Sequence, residues 1–143
     1  MSKTYISAAL RQLVINRADQ QCEYCLISEM DSFARFEIDH IIAEKHGGSS
    51  EAHNLAYACP VCNKFKGTDV ASYDLTTGEL TPLFNPRIAS WLDHFSLLEQ
   101  GNLEGRTPVG RVTIRLLQLN RAERIKERQL LIANSLLSIP KSQ

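Results

Sequence analysis

Apolar residues recur every three or four positions near the start of the chain, at Leu10, Leu13 and Val14, with Arg17 extending the row. That spacing predicts a helix over 7–18, with Ser7 placed to cap its first turn. The period changes over 33–42. There Phe36, Ile38 and His40 share one face and Glu37, Asp39 and Ile41 the other, which predicts a strand. Gly47-Gly48-Ser49-Ser50 reads as a loop, and 55–58 as a short second strand or bridge. Pro60, directly behind Cys59, suits the first turn of a helix that carries Cys62, Asn63 and Lys66. The order is strand, loop, short strand, helix.

The second half has a different texture. A turn signal at Thr76-Thr77-Gly78-Glu79 separates short extended pieces within 74–84, and Pro82 and Pro86 limit regular structure around them. The stretch 91–98 is mixed, and Gly101 and Gly105 bound a hairpin arm. Thr107-Pro108 opens a helix that runs to about Leu119. Asn120 with Glu123 reads as a capping box for a last helix to about Leu137.

Composition narrows the class. The 143 residues, 43% of them apolar, make one domain's worth of chain. No apolar run reaches the length of a membrane span, and Met1-Ser2-Lys3-Thr4 lacks a signal peptide's apolar stretch, so a cytoplasmic protein is expected. In that compartment thiols stay reduced, which favours metal binding over disulfides for four cysteines. Formal net charge is zero, but residues 1–72 carry 7 Lys/Arg against 9 Asp/Glu and residues 73–143 carry 9 against 7. Arg106, Arg111, Arg115, Arg121, Arg124, Lys126 and Arg128 form a basic stripe opposed only by Glu123 and Glu127. Such a stripe either binds phosphates or is a solvated helix face. Arg111 and Arg115, one turn apart, are the pair suited to a phosphate backbone.

Cys22 and Cys25 form one Cys-x-x-Cys pair and Cys59 and Cys62 the other, a spacing that closes a tetrahedral zinc site. A purely structural zinc has no need of the Asp39-His40 dipeptide between the pairs, nor of Asn54 and Asn63. Two unlike metals are therefore expected: a closed thiolate site and an open, oxygen-rich one. His40 suits a general base, since imidazole is partly neutral near pH 7. Asp39 and Asn63 supply the hard oxygens that Mg2+ or Mn2+ prefers. Consecutive strand residues point to opposite faces, so a bulge or strand end must re-aim Asp39 or His40. Lys64 and Lys66 are candidates for backbone phosphates. His46 is a weaker phosphate or metal candidate, and Arg87, Trp91, His94 and Phe95 are either a stacking patch or core.

The run Ile38-Asp39-His40-Ile41-Ile42, Gly47-Gly48, Asn54-Leu55, Cys59-Pro60-Val61-Cys62-Asn63 and Lys66-Gly67 resembles the HNH nuclease signature, in its His-Asn-Asn form, over about 20–70. The resemblance implies an α+β fold with a treble-clef-like ββα-metal (His-Me finger) core over 1–72, pinned by a four-cysteine zinc. A C-terminal α/β extension over 73–143 would pack on it. It implies a metal-dependent endonuclease acting on DNA, with RNA left open and no membrane partner. It also implies that Asn54 fastens the loop and orients His40, and that a returning helix brings Asn63 beside Asp39. Asn63 in place of histidine leaves the catalytic cation loosely held without nucleic acid. A zinc-stabilised nucleic-acid-binding module without catalysis is the competing reading, and a protein-interaction zinc domain a third. No recognition helix for base sequence is evident.

Overall fold

Residues 5–140 are described by a computed structural model, and the first four residues, read above for a leader, lie outside that range. Helix α1 (Ala8–Arg17) starts where Ser7 Oγ accepts the Leu10 backbone N–H at 3.1 Å. It buries Val14, while Leu10 and Ile15 line the edge of the core and Leu13 is exposed. Arg17 does not extend the apolar row. Its guanidinium donates to the carbonyls of Ala52 (2.7 Å) and Leu55 (2.5 Å), which ties the helix to the chain entering the second strand.

The strand expected over 33–42 contracts to β1 (Glu37–His40). Residues Glu29–Asp31 instead form a 3-10 turn, and Phe33 is fully exposed. Glu29 supplies the reason. One carboxylate oxygen accepts the Phe36 backbone N–H at 2.8 Å and the other the Tyr57 hydroxyl at 2.7 Å, so the chain is fixed before ladder pairing begins. Strand β1 pairs antiparallel with β2 (Leu55–Ala58), from Glu37 opposite Ala58 to His40 opposite Leu55, without a bulge. Helix α2 (Pro60–Lys66) follows at once, with Cys59 as its N-cap and Pro60 in its first turn.

The second half builds two further hairpins and three helices. Strands β3 (Ala71–Tyr73) and β4 (Leu80–Pro82) pair around the Thr76-Thr77-Gly78 turn, where Asp74 Oδ2 accepts the Thr77 N–H at 3.1 Å. The short helix α3 (Trp91–His94) runs into β5 (Phe95–Leu97), which pairs with β6 (Leu103–Gly105). Helix α4 (Pro108–Leu117) opens on Thr107, whose Oγ1 accepts the Gly110 N–H at 3.1 Å. Helix α5 (Ala122–Ala133) stops short of Leu137 and lacks the expected capping box. Asn120 is used elsewhere: its amide accepts from the Leu103 N–H (2.7 Å) and donates to the Leu103 carbonyl (2.8 Å), stapling β6 to the start of α5.

One hydrophobic core draws on both halves, with Val14, Tyr24, Leu26 and Leu55 joined by Phe84, Trp91, Phe95, Leu117 and Leu119. Trp91 and Phe95 lie 4.9 Å apart by ring centroid, and Phe95 meets Phe84 edge-on at 5.3 Å. Aromatic pairs of this kind add to the area they bury. Gly110 lets α4 approach α3 closely, because a Cβ there would stand 2.0 Å from the His94 carbonyl oxygen. The architecture is therefore a mixed α/β one. Among the described residues no helix is long and apolar enough to cross a membrane.

Candidate active site and metal centre

The four cysteines meet. Their sulfurs all lie within 4.8 Å of one another, every one buried, and Cys25 and Cys59 sulfurs are 3.7 Å apart. Four Zn–S bonds of about 2.3 Å in a tetrahedron give S···S edges of about 3.8 Å, so the cluster fits that ion. Local backbone prepares it. The Cys22 sulfur faces the Cys25 N–H at 3.5 Å, and the Cys59 sulfur faces the Cys62 N–H at 3.4 Å at the head of α2. The first turn closes through Leu26, held at φ 70° and wholly buried, with its N–H on the Cys22 carbonyl. Among the described residues this is the one convergence of three or more His, Cys, Asp or Glu ligands.

The His40 corner lies at the other end of the β1–β2 ladder. His40 is the last residue of β1 and half-buried, and its Nε2 is 2.8 Å from Ser50 Oγ. The residue before Ser50, Ser49, is held by Asn54, which is buried and uses its whole amide. Asn54 Oδ1 accepts the Ile42 N–H (2.9 Å), while Nδ2 donates to the carbonyls of Ile42 (2.9 Å) and Ser49 (2.7 Å). The loop can lie that close only because residue 48 has no side chain. A Cβ on Gly48 would stand 1.7 Å from the Ile42 carbonyl oxygen and 2.8 Å from Asn54 Nδ2. Gly48 is thus a close-approach requirement of the Asn54 clasp, while Gly47 serves the left-handed turn before it at φ 90°.

Asp39 turns the opposite way, as strand alternation requires in an unbroken register. Only 4% exposed, it accepts the Tyr24 hydroxyl at 2.8 Å and pairs with Lys66 Nζ at 3.2 Å. Burial pushes its carboxyl above the ordinary range, against the pull of Lys66 and Tyr24. Tyr24 is pushed well above its usual value by burial and then by Asp39, so it stays a hydroxyl donor. Sequence reasoning passed over Tyr24, whose only signal is an aromatic residue set inside a zinc knuckle.

Lys66 corrects an expectation. Placed above as a phosphate contact, it is 2% exposed and donates to Asp39, to the His40 carbonyl (3.1 Å) and to the Ile41 carbonyl (3.0 Å). A buried ammonium with that many acceptors is committed to the fold. Asn63, one turn earlier on α2, is half-buried, and its side-chain amide makes no hydrogen bond among the described residues. The oxygen pair expected to hold a second cation is thus open at Asn63 and closed at Asp39. A divalent ion reaching both has to displace Lys66 from the carboxylate. His46 Nε2 is 3.1 Å from the Thr68 carbonyl, bracing the glycine loop against the end of α2.

The basic stripe is corrected at Arg111, Arg124 and Arg128, while Arg106, Arg115, Arg121 and Lys126 are exposed. Arg111 forks onto Asp74, Nε to Oδ1 at 3.0 Å and Nη2 to Oδ2 at 2.9 Å, and holds that carboxyl below the usual carboxylate range. Arg115 Nη2 donates to the Tyr73 carbonyl at 2.7 Å. Both pin the β3–β4 hairpin to α4; Arg111 spends its fork on Asp74, whereas Arg115 is exposed and only its Nη2 is engaged among the described residues. Arg124 and Arg128 are buried. Lys64 remains at the surface, its Nζ 5.7 Å from the Phe65 ring, with the Arg121 guanidinium 5.2 Å from the same ring. The Arg87–Phe95 patch is core: Trp91 donates its indole N–H to the Tyr24 carbonyl at 3.1 Å, and Arg87 pairs with Glu23.

No curated protein and no solved structure matches the chain. Residues 22–69 of the 143, the segment holding both knuckles, the His40 corner and Asn63, match the family model described as HNH endonuclease, and an HNH domain is therefore identified in this stretch.

Proposed function

We propose that the protein is a metal-dependent endonuclease that hydrolyses phosphodiester bonds in DNA. Residues 1–72 act as its treble-clef-like ββα-metal core and 73–143 as an extension packed on it, working in the cytoplasm. The observation that carries the reading is the His40 corner: an imidazole at a strand end, held through Nε2 by Ser50 and flanked by the family's remaining signature residues. With Nε2–H donated to Ser50 Oγ, the lone pair stands on Nδ1, which makes no hydrogen bond among the described residues. His40 is then the general base that takes a proton from water at Nδ1. Asn54 is a positioning residue, since it fixes Ser49 and hence the Ser50 hydroxyl. Lys64 contacts a backbone phosphate, and Zn2+ on the four cysteines holds the frame.

A Mg2+ or Mn2+ ion held by Asp39 and Asn63 would supply positive charge to the phosphoryl oxygens. Holding it at Asp39 would require displacing Lys66 and the Tyr24 hydroxyl, which close over that carboxylate. The test is nicking of supercoiled plasmid by the zinc-loaded protein with added Mg2+ or Mn2+. Wild type converts plasmid to the open circle, and His40→Ala lowers the rate by about 100-fold or more while keeping the thermal transition. Equal background from the two proteins would sink the reading. Tight plasmid binding with no cleavage would assign a binding module in its place.

A further inference from the structure

The chemistry of four thiolates around Zn2+ leaves a dianionic centre, and burying such a charge is costly unless opposite charge lies beside it. Helix α5 provides two cations, one turn apart, on the face that meets the cysteines. Arg124 Nη1 lies 3.2 Å from the Cys59 sulfur and 3.9 Å from that of Cys25, while its Nη2 bonds Glu127 at 2.6 Å. Arg128 is 0% exposed, and its hydrogen-bond partners are all neutral oxygens: the carbonyls of Gly101 (2.6 Å), Leu119 and Cys25 (3.4 Å) and the amide of Asn120 (3.4 Å). A buried guanidinium with no carboxylate on it among the described residues calls for a diffuse negative neighbour, and its bond to the Cys25 carbonyl sets Arg128 beside a zinc-ligand residue.

We propose that Arg124 and Arg128 form the charge-balancing outer shell of the zinc centre, with Arg124 hydrogen-bonded directly to the Cys59 thiolate, so that the C-terminal helix belongs to the metal site. Both residues lie outside 22–69, the segment recognised as an HNH domain. The inference rests on the four cysteines holding zinc and is independent of catalysis. Removing a hydrogen bond from a ligand commonly lowers metal affinity by about 10–100-fold. It also raises the energy of the sulfur donor orbital. Arg124 is thus a positioning residue for the metal and has no part in the chemistry.

The experiment uses the full chain loaded with Zn2+ or with Co2+ as a spectroscopic substitute. Zinc transfer to a chromophoric chelator is timed, and the sulfur-to-cobalt charge-transfer band is recorded. Arg124→Ala should release zinc about 10-fold faster or more and move the band to longer wavelength. Arg124→Lys should restore part of both. Leu131→Ala, a buried apolar truncation on the same helix that removes no hydrogen bond to a sulfur, should lower the melting temperature and leave the band in place. Wild-type release and an unshifted band in a folded Arg124→Ala protein overturn the proposal. Should that variant not fold, Arg124→Lys decides it: a band and release rate identical to wild type overturn it equally. Wild-type protein that binds no zinc at all would instead remove the metal assignment on which the inference stands.

Discussion

The cysteine centre and the His40 corner sit at opposite ends of one four-pair ladder, β1 against β2, and are held by opposite means. Ala58 leads directly into Cys59 at one end, and Asn54 leads into Leu55, opposite His40, at the other. The cysteine end is closed: every sulfur is buried, and Arg124 of α5 lies against those of Cys59 and Cys25. The His40 end is half-open and held by neutral hydrogen bonds from Ser50 and Asn54. A dry cluster of charges suits an anchor, because each member is expensive to expose. A neutral clasp suits a working residue, because it orients an imidazole and leaves one nitrogen available. Asp39 follows the first pattern although it is the sequence neighbour of His40.

The largest test of that contrast removes the anchor. Cys59→Ser, or chelation of the metal, should abolish the cooperative thermal transition, since structural zinc binding contributes on the order of 10 kcal/mol of folding free energy. A variant that melts like wild type would break the comparison at its first term. Next in size is the Asp39 side of the ladder. Lys66→Met strands a buried carboxylate and should cost about 3–5 kcal/mol in denaturant unfolding. The double change with Asp39→Leu should recover much of that loss. If Lys66→Met were neutral, the pair would belong with the open end and not with the anchor.

The clasp should respond less in stability and more in rate. Asn54→Ala leaves the Ile42 amide and carbonyl and the Ser49 carbonyl unpaired, a cost of about 1–3 kcal/mol. Plasmid nicking should fall while zinc content stays at one per chain, which separates the corner from the anchor. The smallest effect is acid sensitivity of the β3–β4 hairpin. The Asp74 carboxyl is depressed by Arg111, so its contribution is present above the ordinary carboxylate range and is lost as pH falls through the folded value. Amide protection factors in 71–82, corrected for the intrinsic exchange rate at each pH, should fall below about pH 4 in wild type. Asp74→Asn should show no such dependence.

Legibility from sequence followed the reach of each interaction. The Ser7 cap, the Thr107-Pro108 start and the Cys59-Pro60 entry to α2 depend on neighbours three residues away, and each stands in the structure as read. Short-range signals failed where a distant partner claimed the same atoms. Asn120 was spoken for by Leu103 across a hairpin, and Glu29 fixed Phe36 before β1 could lengthen. The basic stripe misled for the same reason, because periodicity places arginines on a face but does not say what that face meets. Asp74, 37 residues before Arg111, turned a phosphate candidate into a structural clamp.

By itself the sequence determined the two cysteine pairs, the ladder between them, the glycine loop and the residues that resemble an HNH site. All of these are matters of spacing and residue chemistry, which a linear chain displays. Tertiary structure alone decided which charges are buried. It closed Lys66 and Tyr24 over Asp39, left the Asn63 side chain without a hydrogen bond among the described residues, and carried Arg124 to the Cys59 sulfur and Arg128 to the Cys25 carbonyl. Electrostatic cost depends on distance and burial in space, and neither is written in the order of residues.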